Sequence, residues 1–174
     1  MEVYGKQNLI VSTLKGLEEV LEKELNAMGY EQTVVIKRGV SIPYSQRALY
    51  QVNMAARVAL RVLVPVFQFE AESTDDLYEQ AVKFPWDKFQ EVDQTFAIYN
   101  AVNSSVFTHA QYASLKMKDA LCDAFRNVHG RRPDVDTYRP DIVWHLHIYE
   151  NKVTISLDSS GESLHLRGYR KGSH

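Results

Sequence analysis

The sequence contains one cysteine, Cys122, which excludes an intramolecular disulfide. No apolar run approaches the roughly 20 residues that cross a bilayer. The first eight residues lack the basic and then apolar layout of a signal peptide. A chain without disulfides is typical of a reducing compartment. These absences predict a cytoplasmic protein that does not span a membrane.

The sequence also lacks a large excess of either charge, since 20 Lys and Arg stand against 22 Asp and Glu. The distribution is uneven: residues 1–109 hold 10 basic and 14 acidic side chains, whereas residues 110–174 hold 10 and 8. The stretch Glu70–Asp93 is strongly acidic. We therefore expect a polyanionic partner to contact the C-terminal third, and Glu70–Asp93 to face away from it.

The first 69 residues alternate short strand patterns with two amphipathic helices. We predict strands at 7–12, 33–37, 39–44 and 61–69. We predict one helix from an N-cap at Thr13 to Gly29, with an apolar stripe of Leu14, Leu17, Leu21, Leu25 and Met28, and a second helix from Ser45 to Ala59. Pro65 favours an edge or a bulge in its strand. The order β-α-β-β-α-β is that of a ferredoxin-like unit.

The remaining residues predict a second α+β lobe. Ser73 is a helix N-cap followed by acidic residues, and Pro85 ends that helix near Phe84. A strand at 95–102 precedes a long helix from about His109 to Val128, which Gly130 stops. Alternating residues predict a hairpin with its turn at Glu150-Asn151. We expect an α+β fold of two packed lobes with a boundary near residue 70.

Four segments carry a resemblance to a known family. The first is Leu14–Leu25, in which Gly16-Leu-Glu18 is followed by a spaced Glu-Leu. The other three are Phe84-Pro-Trp86, Lys118-Asp-Ala120 and Ser163-Leu-His-Leu-Arg-Gly-Tyr-Arg170. In this order they resemble the N-terminal ferredoxin-like and THUMP region of bacterial ribosomal RNA (23S) guanine-N2 methyltransferases. The resemblance implies a ferredoxin-like domain at 1–69, a THUMP domain at 70–166, and the start of a linker at 167–174.

In that family the THUMP domain delivers RNA to a neighbouring Rossmann-type domain that uses S-adenosylmethionine. The sequence departs from the complete family pattern because it has no glycine-rich strand-to-helix loop. It also has no Asn/Asp-Pro-Pro-aromatic motif, since none of its five prolines are adjacent. We therefore expect no catalytic residues and no cofactor in this chain. The expected partners are structured RNA and a flanking methyltransferase domain.

Candidate RNA contacts fall in three groups. Cationic side chains near the end of the long helix could bind successive phosphates: Arg126, Arg131, Arg132 and Arg139. The alternative is that Arg126 pairs with Asp123 or caps the C-terminus of the helix, and that Asp134 and Asp136 neutralise the loop. The second group, Ser104, Ser105 and His109, could bind a phosphate at the helix start, with capping by Thr108 as the alternative. The third, Arg167, Tyr169 and Arg170, could stack on unpaired bases or shape a linker.

The remaining chemically notable side chains are interpreted as structural and not as RNA contacts. His145 and His147 share one strand face with His165 nearby, which could bind a metal, but the set is incomplete and we predict none. Cys122 and Trp86 are expected in the core. Lys116 is expected to pair with Asp119 or Asp123 on a solvated helix face. The alternative function, which the near-neutral charge favours, is a protein-interaction or scaffold module without an RNA role.

Overall fold

The structure, a computed structural model, describes residues 8–161 and Leu164. Within this range the chain forms two compact units. The first unit contains residues 8–65 together with 158–161 and Leu164, and the second unit contains residues 66–157. Each unit combines helices with a β-sheet, which confirms the α+β class.

The first unit has the element order predicted for a ferredoxin-like domain. The elements are β1 (Asn8–Ser12), α1 (Glu18–Ala27), β2 (Val34–Ile36), β3 (Gly39–Pro43), α2 (Gln46–Ala55) and the first half of β4 (Arg61–Glu70). The strands are ordered β2-β3-β1-β4, and β1 is antiparallel to both of its neighbours. Pairing of β4 with β1 ends at Leu63, before Pro65, which has no N–H to donate.

The first helix begins later than its apolar pattern predicts. Thr13 is not the N-cap: its side chain is 2% exposed and its hydroxyl donates to the Val58 carbonyl over 2.7 Å. Gly16 then has a φ of 90°, which interrupts helical geometry, and α1 starts at Glu18. Leu14 is consequently 52% exposed. The predicted end is confirmed, because Gly29 adopts a φ of 96°.

The second helix begins near its predicted start, and Ser45 is its N-cap: Ser45 Oγ accepts a hydrogen bond from the Ala48 N–H over 2.9 Å. It ends at Ala55 and not at Ala59, because Ala56 is extended. The strands predicted at 33–37 and 39–44 pair as an antiparallel hairpin, with Arg38 in the turn at a φ of 61°.

The C-terminal end of the last strand returns to the first unit. Arg61 forms an ion pair with Asp158, and Ser160 Oγ accepts a hydrogen bond from the Val62 N–H over 2.7 Å. Leu164 N–H donates to the Leu60 carbonyl over 2.9 Å. These bonds tie the described C-terminal residues to Leu60 and to the first residues of β4.

The second unit contains the longer helix and a mixed sheet. Its elements are α3 (Thr74–Ala81), a 3₁₀ turn (Trp86–Lys88), β5 (Phe96–Asn103), α4 (Ala110–His129), β6 (Ile142–Tyr149) and β7 (Lys152–Asp158). The second half of β4 lies beside β7, β7 is antiparallel to β6, and β6 is parallel to β5. The turn predicted at Glu150-Asn151 is confirmed.

Two tryptophans organise the core of the second unit. The rings of Trp86 and Trp144 meet edge to face with centroids 4.9 Å apart, and both side chains are buried. Trp86 Nε1 donates to the Ala81 carbonyl, and Trp144 Nε1 donates to Gln90 Oε1. Because both indole N–H groups are satisfied, the burial carries no unpaired donor. The expectation that Trp86 anchors the core is confirmed.

No helix in the part of the chain that the structure describes is long and apolar enough to cross a membrane.

Candidate nucleic-acid interface

Helix α4 carries candidate residues at both of its ends. Its buried face packs on α3 and β5 and consists of Ala113, Met117, Ala120, Leu121, Cys122 and Phe125. Val128 was predicted on that face but is 65% exposed, beside a depression of ≈ 370 Å³ that the 82–88 segment also lines. Twenty residues at 1.5 Å each separate the ends of the helix by about 30 Å. One phosphate cannot contact both ends.

The C-terminal end of α4 is closed by a left-handed glycine. Gly130 has a φ of 71°, and its N–H donates to the Arg126 carbonyl over 2.9 Å. Glycine adopts this conformation without the Cβ penalty of other residues. The predicted stop at Gly130 is confirmed. The chain then enters the segment 131–141, which we call the arginine loop because it carries three arginines.

The arginine loop is anchored to the start of β5. Phe96 N–H donates to the Asp134 carbonyl over 3.0 Å, and the Phe96 carbonyl accepts from the Asp136 N–H over 3.0 Å. Farther along, Asp141 Oδ2 accepts hydrogen bonds from the N–H and the hydroxyl of Thr95. The loop is therefore held by backbone and side-chain bonds before it reaches β6.

Asp136 shapes the turn inside the loop. Its Oδ1 accepts hydrogen bonds from the N–H groups of Tyr138, at 2.8 Å, and Arg139, at 3.0 Å. These two bonds hold the pKa of the Asp136 carboxyl below its ordinary value. Asp136 forms no ion pair with an arginine among the described residues, but its carboxylate keeps a negative charge in the loop. That Asp134 and Asp136 neutralise the loop stays a prediction.

The four candidate arginines fall into two pairs. Arg126 Nη1 lies 2.9 Å from Asp123 Oδ1, and Arg131 Nη2 lies 2.7 Å from Asp93 Oδ1. The alternative reading of Arg126 as an ion-paired residue is thus confirmed. Arg132 and Arg139 form no ion pair with any residue that the structure describes. The guanidinium of Arg139 instead lies 5.9 Å from the centroid of the Tyr138 ring.

Arg132 borders a polar depression of ≈ 430 Å³ on α3 and α4. The other lining residues are Tyr78, Lys116, Asp119, Cys122, Asp123 and Arg126. Tyr78 donates its hydroxyl to Asp123 Oδ2 over 2.9 Å, and this bond raises the pKa of the tyrosine. Burial raises the pKa of the Cys122 thiol. Cys122 is only 6% exposed, as expected for a small buried side chain.

The acidic stretch Glu70–Asp93 does not lie apart from the basic residues. Lys116 was predicted to pair with Asp119 or Asp123. It pairs instead with Asp75, whose Oδ1 lies 2.9 Å from Lys116 Nζ. Asp93 pairs with Arg131 in the same way. Packing of α3 against α4 brings Asp75 to Lys116. The expectation that Glu70–Asp93 faces away from a polyanionic partner stays a prediction.

At the N-terminal end of α4 the candidate hydroxyls are occupied. Ser104 Oγ donates to the Glu150 carbonyl over 2.6 Å and accepts from the N–H groups of Val106 and Phe107. Ser105 donates both its hydroxyl and its N–H to Glu150 Oε2. These bonds lower the pKa of Glu150, so a carboxylate anion already occupies the place proposed for a phosphate.

The helix start also differs from its predicted cap. His109 holds the N-cap position and Thr108 does not, and the His109 side chain makes no capping hydrogen bond. Ser104 binds the N–H groups of Val106 and Phe107, which precede α4, so it holds the loop before the helix and does not cap the helix itself. His109 is exposed.

The third group, Arg167, Tyr169 and Arg170, lies outside the described residues, as does His165. His145 lies beside Tyr99, with ring centroids 5.6 Å apart, on the sheet face opposite Trp144. Across residues 8–161 and Leu164, no cluster of three or more metal-binding side chains occurs.

Sequence reasoning did not select Tyr138, which the structure places at the outer turn of the arginine loop. Its side chain is 87% exposed. The available signal was an aromatic residue directly before an arginine in a polar loop.

Two family models match this chain. The model of the THUMP domain matches residues 71–158, half of the chain, and that of the RlmL ferredoxin-like domain matches residues 8–63. The chain belongs to the THUMP domain family. The resemblance and the two domain types predicted from the sequence are therefore confirmed.

This THUMP chain spans less than half of the length of each of three similar proteins. A ribosomal RNA large subunit methyltransferase K/L from Syntrophotalea carbinolica is 39% identical over 156 residues, which are 90% of this chain and 22% of that protein. A crystal structure described as a predicted N6-adenine-specific DNA methylase from Listeria monocytogenes has a TM-score of 0.77 at 26% identity, with 96% of this chain and 44% of that chain covered. A second, described as a possible methylase from Clostridium difficile 630, has a TM-score of 0.78 at 25% identity, with 95% and 44% covered.

Proposed function

We propose that this chain is the RNA-binding part of a ribosomal RNA guanine-N2 methyltransferase. The observation that carries the proposal is the 39% identity over 90% of the chain to a protein named for methylation of large-subunit ribosomal RNA. The chain spans 22% of that relative, so the whole protein's activity is part of the proposal. Its partner is structured RNA in the cytoplasm, most specifically large-subunit ribosomal RNA.

The proposed task of the THUMP chain is to position RNA for a catalytic domain outside these 174 residues. Methyl transfer from S-adenosylmethionine belongs to that domain, since this sequence lacks a glycine-rich cofactor loop and the Pro-Pro-aromatic motif. Positioning alone contributes to catalysis because it holds the target base in reach of the reacting group. No residue of this chain acts as a catalyst in this proposal.

Arg132 and Arg139 are the proposed principal phosphate contacts. Neither side chain has a carboxylate partner among the described residues, so a phosphate would bind them without displacing one. Arg126 and Arg131 would first have to exchange Asp123 and Asp93. We propose them as secondary contacts.

The other candidate residues remain predictions. Ser104 and Ser105 would need release of Glu150 before they bound a phosphate, whereas exposed His109 would not. The third group, Arg167, Tyr169 and Arg170, stays a prediction from the sequence.

The test is RNA binding by fluorescence anisotropy at 50 to 200 mM salt with fragments of large-subunit ribosomal RNA. We expect the double variant Arg132→Ala/Arg139→Ala to lose about tenfold in affinity per arginine. The slope of log K against log salt should fall by roughly 0.7 per lost contact to single-stranded RNA. The matched control is Arg47→Ala/Arg57→Ala, which removes two exposed arginines of the first unit.

Loss in the double variant with retention in the control supports the proposal. Absence of salt-dependent binding by the unmodified chain contradicts it and favours the protein-interaction alternative. An equal loss in both variants would assign binding to total charge and not to the arginine loop.

A further inference from the structure

Tyr138 is the most exposed large apolar side chain that the structure describes, at 87%. Single exposed aromatic residues are common on protein surfaces and need no function. Tyr138 differs because of its setting. The ring stands at the turn of an anchored loop, with a guanidinium on one side and no packing over most of its surface.

The backbone that carries Tyr138 is fixed in advance. Its own N–H donates to Asp136 Oδ1 over 2.8 Å, and the loop is bonded to Phe96 and to Thr95 on either side of this turn. Because the backbone is already held, binding through the ring orders the side chain but costs little additional backbone freedom. A ligand can therefore reach the Tyr138 ring without a rearrangement of the loop backbone.

The loop carries three arginines and three aspartates, but the charge next to the ring is the Arg139 guanidinium, which can pair with an anionic group. Arg139 follows Tyr138 directly and Arg132 lies in the same loop, and neither is neutralised by a described carboxylate. Asp136 is engaged by two backbone N–H groups. A flat ring next to free guanidinium groups matches a nucleotide, whose base can stack while its phosphate pairs with arginine.

We propose that Tyr138 stacks on an unpaired nucleobase of the bound RNA and that Arg139 contacts the adjoining phosphate. This inference rests on the proposed RNA-binding function and assigns its ligand class, an unpaired nucleotide in a loop, bulge or end. A base inside a continuous duplex is already stacked on its neighbours and cannot present a free face to the tyrosine.

The experiment compares two RNA probes of equal length, a hairpin with 2-aminopurine in its unpaired loop and a fully paired duplex. Tyr138→Ala should weaken hairpin binding by about five- to 150-fold, the range expected for loss of one stacked base. It should leave duplex binding unchanged. Tyr138→Phe keeps the ring and should keep the affinity, and the 2-aminopurine fluorescence should be quenched by the unmodified chain but not by Tyr138→Ala.

Two controls separate stacking from other effects. Tyr50→Ala removes a tyrosine of the first unit that is 60% exposed and should change neither probe. The salt dependence of hairpin binding should keep its slope in Tyr138→Ala, because tyrosine carries no charge, and lose slope in Arg139→Ala. Since Tyr138 is exposed, its replacement should not alter the unfolding temperature.

Each other outcome overturns the inference. Equal hairpin binding by Tyr138→Ala and the unmodified chain rejects stacking and leaves the RNA-binding function in place. Equal loss on both probes rejects the preference for unpaired bases. Failure of the unmodified chain to bind either RNA rejects the inference and the proposed function together.

Discussion

The two ends of α4 carry similar numbers of polar candidates but leave them in different chemical states. At the N-terminal end, Ser104 and Ser105 spend their hydrogen bonds on Glu150 and on the backbone. At the C-terminal end, Arg132 and Arg139 have no carboxylate partner among the described residues. A suitable residue type therefore does not by itself make a phosphate-binding site. The hydrogen-bonding or charged group must also be left without another partner in the folded protein.

The four candidate arginines near the C-terminal end of α4 also differ from one another. Arg126 and Arg131 lie in the same part of the sequence as Arg132 and Arg139, yet each meets an aspartate. Exposed ion pairs contribute about 0–1 kcal/mol to stability. They nevertheless compete with phosphate for the guanidinium. Arginines that look alike in the sequence therefore differ in how readily they can bind a phosphate.

The largest effect should come from Gly130→Ala, which disrupts the C-terminal end. A Cβ at this position would meet no atom within 4 Å, so the cost arises from the φ of 71° alone. That conformation costs a non-glycine residue about 1–2 kcal/mol. We expect urea unfolding to show a loss of this size, together with weaker RNA binding because the arginine loop follows directly.

Gly130→Asn is the matched control, since asparagine tolerates the left-handed conformation better than alanine. Its loss of stability should be smaller. Equal losses in the two variants would contradict the backbone explanation.

A smaller effect is expected from Ser104→Ala, which acts on the N-terminal end. The variant loses one hydrogen bond to Glu150 and leaves the N–H groups of Val106 and Phe107 without their acceptor. Because the site is exposed, water replaces part of these bonds, and we expect about 1 kcal/mol in urea unfolding. RNA affinity should not change. A loss of affinity without a loss of stability would restore Ser104 as a phosphate ligand.

The smallest effect is expected from protonation of Asp136. Its folded-state pKa lies below the ordinary 3.8 because two N–H groups donate to the carboxylate. The associated stability is therefore present above pH 3.8 and is lost as the pH falls through the lower folded-state pKa. Urea unfolding of the unmodified chain and of Asp136→Asn should show a constant difference at pH 5 to 8.

The same Asp136 difference should shrink below about pH 4, where the carboxyl begins to bind protons. A difference that instead changed between pH 6 and 8 would indicate a histidine and not Asp136. The group is exposed, so the whole effect is small compared with that of Gly130→Ala.

Local sequence signals predicted much of the fold because they act through neighbouring residues. Ser73 caps α3, and Gly29 and Gly130 end α1 and α4, as their patterns predict. Thr13 failed as a cap because its hydroxyl binds Val58, which is 45 residues away. The boundary near residue 70 stays a prediction.

The sequence by itself determined the α+β class, the ferredoxin-like element order and the family, because periodicity and short-range motifs carry that information. Only the tertiary structure decided which candidate cations remain available. Packing of α3 on α4 places Asp75 on Lys116, and Asp93 reaches Arg131 from 38 residues away. Ion pairing depends on distances between side chains that no local pattern specifies. For the same reason, the exposure of Tyr138 beside Arg139 became visible only in the folded loop.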